Sequence, residues 1–349
     1  MQTAVSTTSA AATAPAAVPG MAVGAGADYL TVGVDIGGTK IAAGVVDASG
    51  RVLGRTRRET PARDAKAIEA AVVDAVMELR REHKVVAVGV AAAGFVDVSR
   101  SVVTFAPNVA WRDEPVRADL EGALGLPVVV ENDANAAAWG EFAHGTGRSA
   151  SSTEHEVHDM VLLTIGTGLG GGIVIGDRLL RGASGFAGEM GHVRVVPDGH
   201  PCGCGNRGCW EQYASGRALV REARAMASTG SPLAAHLLEL AGNDPQAIQG
   251  PTVTRAALEG DTAAIELLAD LGRWIGEGAA SVVAALDPGL VVVGGGVSEA
   301  GDLLLGPARA AFARQLTARG HRPAIPLELA ALGNDAGMIG VADLARVPS

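Results

Sequence analysis

The sequence predicts an α/β protein built from two similar lobes. Two stretches share one order of features: a Val/Ile-rich strand, a glycine-rich turn, a second strand, and a Gly/Asp turn followed by an Arg-Leu segment. They are VDIGGTKIAAGVVDASGRVLG and LTIGTGLGGGIVIGDRLLRG, whose matching residues Asp35 and Thr164 lie 129 positions apart. Because solenoid repeats have periods of ~20–50 residues, this spacing indicates two related lobes instead. The length of 349 residues also suggests two domains, at about 100–200 residues each.

The first lobe is expected to begin near Tyr29. The stretch YLTVGVDIGGTKIAAGVVDASGRVLG predicts three strands separated by a glycine turn and an Asp-Ala-Ser-Gly turn. It is followed by AKAIEAAVVDAVMELRREHK, whose apolar residues recur at helical spacing, and by the buried strand VVAVGVAAAG. In LPVVVENDANAAAWGEFAHG, a strand that ends at Glu131 passes into a helix, with Asn132 and Asp133 at the junction.

The second lobe follows a polar, His-rich segment, residues 148–159, that is expected to form an exposed loop. The second copy of the repeat then predicts further strands. TAAIELLADLGRWIGEGAASVVAALDP predicts a long helix stopped by Asp287 and Pro288. LVVVGGGVS predicts a strand that ends in glycines, and GNDAGMIGVADLARV a closing helix.

The net charge of −10 argues against nucleic acid or an anionic membrane as partner, because both call for a basic surface. Residues 1–28 are low in complexity and lack Lys and Arg, so we expect a disordered tail and not a signal peptide or a membrane span. The longest other uncharged apolar run, residues 85–96, is too short to cross a bilayer. These features predict a soluble, cytoplasmic protein.

Three strands end in glycine-rich turns, at residues 37–40, 166–168 and 294–296. Glycine lets backbone N–H groups converge on a concavity, and such nests hold phosphate oxygens. The turns are therefore candidates for holding a nucleoside triphosphate between the lobes, with ordinary hairpin glycines as the alternative. GTGLGG, residues 166–171, matches GxGxxG but opens a strand instead of a helix, which excludes a Rossmann site. No GxxxxGK[ST] motif occurs, which excludes a P-loop.

Asp133 lies where a strand meets a helix, the position at which open α/β sheets bind ligands. A carboxylate there can accept a proton from a substrate hydroxyl and act as general base. The alternative is a plain helix N-cap, a role that Asp fills well. Asn132 beside it and Asn108 in APNVAW supply amide groups of the kind that bind sugar hydroxyls.

All three cysteines, Cys202, Cys204 and Cys209, lie within eight positions. Clustered thiols in a protein expected to be cytoplasmic favour a metal site over disulfides, and structural zinc takes four tetrahedral ligands. The fourth ligand is expected to be His192 or His200, although the short spacing from His200 to Cys202 strains a chelate. One nitrogen of His192 can bind the metal while the other faces a ligand beside Glu189. Three free thiols are the alternative.

These motifs together resemble the ROK family (repressor, open reading frame, kinase), most closely its bacterial glucokinases, from about Thr31 to the last helix. DIGGTK, residues 35–40, is similar to the family's first phosphate loop, and GASGFAGEMGH and CGCGNRGCWEQYASG are similar to its two signature stretches. The resemblance implies a two-lobed, ribonuclease H-like fold, shared with actin and hexokinases, in which the last helix returns to the first lobe. We therefore place a small lobe at residues 29–137 plus 335–349, and a large lobe with the cysteine motif and nucleotide loops at residues 138–334.

The resemblance also implies roles for individual residues, with Asp133 as the catalytic base. The implied sugar ligands are Asn108, Asn132, Asp133, Glu189, His192 and Glu211. The implied nucleotide-binding residues are Gly37, Gly38, Thr39, Lys40, Thr167, Gly168, Gly294 and Gly295. The implied ligands of a structural Zn²⁺ are His192, Cys202, Cys204 and Cys209.

The implied reaction is phosphorylation of the glucose 6-hydroxyl by ATP with Mg²⁺, in a homodimer or homotetramer. A kinase for mannose, N-acetylglucosamine or N-acetylmannosamine, or one that uses polyphosphate, would require the same kinds of residue. A sugar-sensing repressor that binds DNA is disfavoured, because the 34 residues before Asp35 are few and lack Lys and Arg.

Overall fold

The computed structural model describes residues 29–151 and 156–346. The tail expected at residues 1–28 lies outside the described residues, as do residues 152–155 and 347–349. Groups of strands and groups of helices follow one another along the described chain, as the sequence predicts for an α/β protein.

The strands, in chain order, are β1 Leu30–Ile36, β2 Lys40–Val46, β3 Val52–Glu59, β4 Val85–Ala92, β5 Phe95–Val96, β6 Val103–Phe105, β7 Arg112–Glu114, β8 Val128–Asn132, β9 Met160–Ile165, β10 Leu169–Ile175, β11 Arg178–Leu179, β12 Leu290–Gly294 and β13 Leu327–Leu329. The α-helices are α1 Ala65–Leu79, α2 Val116–Leu124, α3 Asp133–His144, α4 Thr146–Ala150, α5 Gly216–Ser228, α6 Ala235–Leu240, α7 Gly250–Leu258, α8 Thr262–Leu286, α9 Asp302–Gln315 and α10 Ala336–Leu344.

Two five-stranded sheets have the same topology. The first has the order β3-β2-β1-β4-β8 and the second the order β11-β10-β9-β12-β13. In each sheet the central strand is antiparallel to the next strand along the chain and parallel to the one on its other side. The repeat predicted from the sequence is therefore a repeat of whole sheets, with β1 and β9 in matching places.

Each sheet has its own apolar core. Val32 and Val34 of β1 are fully buried and pack with residues of α1 and α2. Val161 and Leu163 of β9 are equally buried and pack with residues of α5, α7, α8 and α9. Burying one such aliphatic side chain contributes ~1.5–3 kcal/mol, so the Val/Ile/Leu runs of the sequence specify the centres of both layers.

Helices α3 and α10 pack against each other between the two sheets. Their backbones meet at Gly340, where an added Cβ would lie 1.8 Å from the carbonyl oxygen of Ala136. The hydroxyl of Thr31 on β1 donates to the carbonyl oxygen of Ala342 at 2.9 Å, which fixes α10 on the first sheet. On its other side α3 packs against β10. The fold thus brings the last helix back to the first sheet and places Asp133, the first residue of α3, between the sheets.

Residues 148–159, expected to be a loop, are partly helical. Helix α4 extends to Ala150 because the N–H of Ser149 donates to the carbonyl oxygen of Gly145, and that of Ser151 to Gly147. The side chains of residues 148–150 are exposed as predicted, whereas residues 152–155 lie outside the described chain. Strand β8 also extends one residue beyond the predicted end at Glu131, because Asn132 still pairs with Ala92 of β4.

No helix in the described chain combines the length and apolar character that crossing a membrane requires.

Candidate active site

Asp133 begins α3 directly after β8, at the carboxyl end of the first sheet. Asn132 caps this helix, since its Oδ1 accepts a hydrogen bond from the N–H of Asn135 at 3.0 Å. Within residues 29–151 and 156–346, the Asp133 carboxylate is bonded only through Oδ1, to the N–H of Ala134 at 2.9 Å and to Nδ2 of Asn132 at 3.1 Å. Asn132 therefore takes the capping role that the sequence left open for Asp133, and Oδ2 of Asp133 is available to a ligand.

Two carboxyl groups with raised pKa values share this strand-end region. Burial, with the neighbouring charge of Asp35 as the second cause, raises the pKa of Asp133 to about 7. Burial also raises the pKa of Asp35 to about 6, although the charge of Lys40 opposes the change. A carboxylate that titrates near neutrality is suited to accept a proton from a hydroxyl.

Asp35 is a candidate functional residue that the sequence analysis did not assign. A Cβ built on Gly337, in the first turn of α10, would lie 3.7 Å from Cγ of Asp35 and 3.8 Å from the backbone oxygen of Asp133. The two acids and the start of α10 therefore border the same space. An acidic residue at a strand end immediately before a phosphate-type glycine turn was the signal that could have identified it.

The glycine turns present backbone N–H groups at the ends of β1, β9 and β12. In the first turn the N–H of Gly37 is not available to a phosphate, because it donates to the carbonyl oxygen of Lys40 at 2.9 Å. Gly294 is buried as the last residue of β12, and Gly295 follows with φ +87° and an added Cβ 2.5 Å from the oxygen of Ile165, so only glycine fits there. Several N–H groups of the turns donate no hydrogen bond within the described chain. They are those of Gly38, Thr39, Thr167, Gly168, Gly295 and Gly296.

A cavity of about 1240 Å³ extends from the second and third turns. It runs between these turns on one side and helices α5 and α7 on the other. Ligand pockets usually measure about 300–1,000 Å³, so the space is ample for a base and a sugar beyond the phosphate-binding turns. Its walls include Gly166, Thr167, Gly296, Arg217 and Pro251.

The side chains implied as sugar ligands lie next to the same turns. A Cβ built on Gly38 would lie 3.1 Å from Cβ of Asn108, and one built on Gly168 would lie 2.7 Å from Oε2 of Glu211. Oε2 of Glu189 lies 3.8 Å from Nε2 of His192. The amide of Asn132 is largely engaged within the protein, because Nδ2 also donates to the carbonyl oxygen of Gly94 at 3.1 Å.

The three cysteines converge with His192. One possible ligand atom from each of His192, Cys202, Cys204 and Cys209 lies within 4.8 Å of all the others. Tetrahedral zinc with Zn–S bonds of about 2.3 Å would place sulfur atoms about 3.8 Å apart. Sγ of Cys204 lies 3.6 Å from Sγ of Cys209, and Nδ1 of His192 lies 3.6 Å from Sγ of Cys202, so the four side chains fit such an ion.

His200, the other candidate for the fourth ligand, points elsewhere. Its ring packs against Tyr213, with ring centroids 5.4 Å apart. The structure thus brings His192 to the thiols through Nδ1, while its Nε2 faces Glu189. The two ring nitrogens of His192 therefore face different groups, the thiols on one side and the Glu189 carboxylate on the other.

The chain is similar in sequence and in fold to known proteins. Glucokinase from Streptomyces coelicolor is 50% identical over 319 residues, which cover 91% of this chain and 98% of that protein. The crystal structure of a ROK family glucokinase from Streptomyces griseus in complex with glucose and AMPPNP superposes with a TM-score of 0.81 at 50% identity, covering 91% of this chain and 99% of that one. N-acetylmannosamine kinase from Escherichia coli is 34% identical over 90% of this chain and 98% of its own length.

These similarities confirm the expected two-lobed fold of the actin and hexokinase type, with a mixed sheet in each half. Residues 31–347 match the family model described as ROK family. The match begins at the strand before DIGGTK and ends just after α10, so it includes every motif on which the resemblance was based. The chain belongs to the ROK family.

Proposed function

We propose that this protein is a glucokinase that transfers the γ-phosphoryl group of ATP to the 6-hydroxyl of glucose. The observation that carries the proposal is the Asp133 carboxylate, which has a raised pKa and a free Oδ2 between the two sheets, beside glycine turns with unbonded N–H groups. Support comes from the 50% identical relatives, whose names and bound ligands are those of glucose kinases.

Asp133 acts as general base in the proposed mechanism. Its Oδ2 accepts the proton of the sugar hydroxyl as that oxygen attacks the γ-phosphorus, while Oδ1 stays fixed by Asn132 and Ala134. The N–H groups of the glycine turns bind the phosphate oxygens, and Lys40 adds positive charge at the first turn. Phosphoryl transfer depends mainly on such positioning and charge stabilisation.

Asp35 is the residue that best suits the Mg²⁺ that accompanies ATP. Its carboxylate has no hydrogen-bond partner within the described chain, and carboxylate oxygens are the ligands that Mg²⁺ prefers. When bound, the ion neutralises charge on the phosphates. Before Mg²⁺ binds, Asp35 also keeps negative charge near Asp133, which adds to the raised pKa of the base.

A structural zinc ion held by His192, Cys202, Cys204 and Cys209 is part of the proposal. The four side chains would supply all four ligands of a tetrahedral ion, so the site would be closed and would leave no position for substrate on the metal. The ion would fix the ring of His192 with Nε2 toward the sugar, next to Glu189. Glu189, His192, Glu211 and Asn108 would then bind sugar hydroxyls around Asp133.

The size and apolar walls of the cavity along α5 and α7 favour ATP over polyphosphate as the phosphoryl donor. Beyond the turns that would bind phosphates, the space of about 1240 Å³ continues along α5 and α7, where a polyphosphate chain would meet apolar walls such as Val220, Pro251 and Leu258. An adenosine group would fill this part and bury apolar surface. The other alternative, a different sugar, depends on pocket shape around one substituent.

The proposal is tested with purified protein in a coupled assay. Glucose, mannose, N-acetylglucosamine and N-acetylmannosamine are each offered with ATP and with polyphosphate. The expected result is the highest kcat/KM for glucose with ATP. Phosphorylation of another sugar only, or turnover with polyphosphate only, would replace the proposed substrate or donor, and no turnover with any pair would refute a kinase. The lobe boundaries, a cytoplasmic location and a homodimer or homotetramer stay predictions.

A further inference from the structure

Arg217 lines the cavity of about 1240 Å³ in which we propose that ATP binds, beside the second glycine turn. It is the second residue of α5, and the N–H of Gly216 before it donates to the carbonyl oxygen of Gly166 at 2.8 Å. Nε of Arg217 donates to the carbonyl oxygen of Thr167 at 3.2 Å, and its backbone N–H donates to the same oxygen at 3.3 Å. The start of the helix therefore fixes this guanidinium against the turn.

The other arginines of the cavity wall are already engaged. Arg224 donates twice to the carbonyl oxygen of Ile248, at 3.1 and 2.9 Å. Arg255 pairs with Glu259 at 2.9 Å, and Arg221 donates to a backbone oxygen at 2.9 Å. In the described chain none of these three donates to the second glycine turn, whereas Arg217 does.

Arg217 keeps most of its donors free. A guanidinium carries five N–H donors, and in the described chain only Nε of Arg217 makes a hydrogen bond. Nη2 lies 3.6 Å from Oε1 of Glu211, a loose contact for an ion pair, and the side chain is 63% exposed. A Cβ built on Gly168 would lie 3.9 Å from Nη2, so the free end of the guanidinium reaches the part of the turn whose N–H groups are unbonded.

We propose that Arg217 binds phosphate oxygens of the nucleotide in this cavity and positions the donor for transfer. The inference rests on the proposed kinase function and deepens it, because Arg217 is not among the residues that the family resemblance implied. A guanidinium can bind two phosphate oxygens side by side, whereas the turn supplies only neutral N–H donors. A bound phosphate would replace Oε1 of Glu211 as the partner of Nη2. Oε1 would keep its contacts with Cys202 and Gln212, and Oε2, which has no hydrogen-bond partner in the described chain, would be the oxygen for a sugar hydroxyl.

The test measures nucleotide binding directly, by titration calorimetry with the triphosphate analogue AMPPNP and with adenosine. Arg217→Gln is expected to weaken AMPPNP about tenfold or more, the effect of losing a hydrogen bond to a charged group, and to leave adenosine affinity within about twofold. Arg217→Lys keeps the positive charge but loses the planar group that can bind two phosphate oxygens. Its AMPPNP affinity should lie between those of the wild type and Arg217→Gln. Arg314→Gln, which removes an exposed arginine near the end of α9, is the matched control and should bind like the wild type.

Three results would overturn the role of Arg217: unchanged AMPPNP affinity in Arg217→Gln, an equal loss of adenosine affinity, or a loss of glucose affinity alone. Metal content and the thermal unfolding temperature show whether each variant is folded. Because binding needs no turnover, a wild-type protein that binds AMPPNP but phosphorylates no hexose refutes the proposed function while the comparison of variants still decides the role of Arg217. A wild-type protein that binds no adenine nucleotide overturns both.

Discussion

Nε of Arg181 lies 2.7 Å from Oε2 of Glu131, a buried carboxylate two residues before Asp133. Arg181 stands at the start of the segment that leads to Glu189, so this ion pair joins the sugar side of the site to strand β8 of the first sheet. Nε of Arg100 lies 3.7 Å from the same oxygen, and Nε and Nη2 of Arg100 are buried without a hydrogen-bond partner. One carboxylate therefore compensates two guanidinium groups beneath the strand end that carries Asp133.

Replacing Glu131 by Gln should destabilise the protein and weaken glucose binding together. The change leaves Arg100 and Arg181 without a counter-charge in a buried setting, and breaking a buried pair from one side costs ~3 kcal/mol or more. Urea unfolding and glucose titration measure the two effects. Glu121→Gln is the matched control, since Glu121 pairs with Arg117 at the surface and such pairs contribute about 0.2–1 kcal/mol. Equal stability of the two variants would contradict the role given to Glu131.

Replacing Asp133 by Ala should lower kcat at least ~10²-fold, the scale of losing a general base, while glucose binding is partly kept. The physical reason is that Asp35, the other described carboxylate that borders this space near Gly337, is assigned to Mg²⁺ in the proposed mechanism and does not replace Oδ2 of Asp133. Steady-state kinetics with ATP and an equilibrium glucose titration separate the two quantities. A variant that turns over at a near-normal rate would remove Asp133 from the role of base.

The sequence predicts the repeated sheets, the glycine turns and the cysteine cluster because each depends on residues that are close in the chain. It does not predict the pairing of Glu131 with Arg181, which lie 50 positions apart and meet only when the two sheets pack around α3. The choice between His192 and His200 was open for the same reason, since spacing alone gives no ring orientation. Asp35 was missed because its importance comes from the approach of Asp133, which belongs to a different strand end.

The acid side of the pH–rate profile should reflect the raised pKa of Asp133. A general base works only when ionised, so kcat/KM should fall as the pH drops below about 7. In Asp35→Asn the neighbouring negative charge is gone, so the pKa of Asp133 is lower and the acid limb should move to lower pH. The quantity to compare is the pH at which kcat/KM falls, and not the rate itself. Loss of a Mg²⁺ ligand in Asp35→Asn can lower the rate at every pH without moving that point. An unmoved limb would show that the charge of Asp35 does not act on Asp133.

Metal content should depend on His192 and not on His200. His192→Ala removes a donor that lies 3.6 Å from Sγ of Cys202, and Cys204→Ser removes a thiol 3.6 Å from Sγ of Cys209. Both variants should lose zinc, with weaker glucose binding or a lower unfolding temperature, because the metal contributes to folding. His200→Ala is the matched control and should keep one zinc per chain. Full zinc content in His192→Ala would assign the fourth position to His200 instead.

The raised pKa of Asp133 also predicts that this carboxylate destabilises the protein at neutral and higher pH. An acid whose pKa is about 7 when folded and about 4 when unfolded favours folding while protonated, and this contribution is lost as the pH rises from about 4 through about 7. Asp133→Asn cannot ionise, and its oxygen can still accept from Ala134. Its free energy of unfolding at pH 8 should exceed that of the wild type by ~1–3 kcal/mol, less than the full shift because solvent at the cleft screens part of the effect.

Urea unfolding at pH 8 and at pH 4.5 gives the comparison, and the difference should shrink at the lower pH. Equal stability at both values would mean that Asp133 is not desolvated in the folded protein.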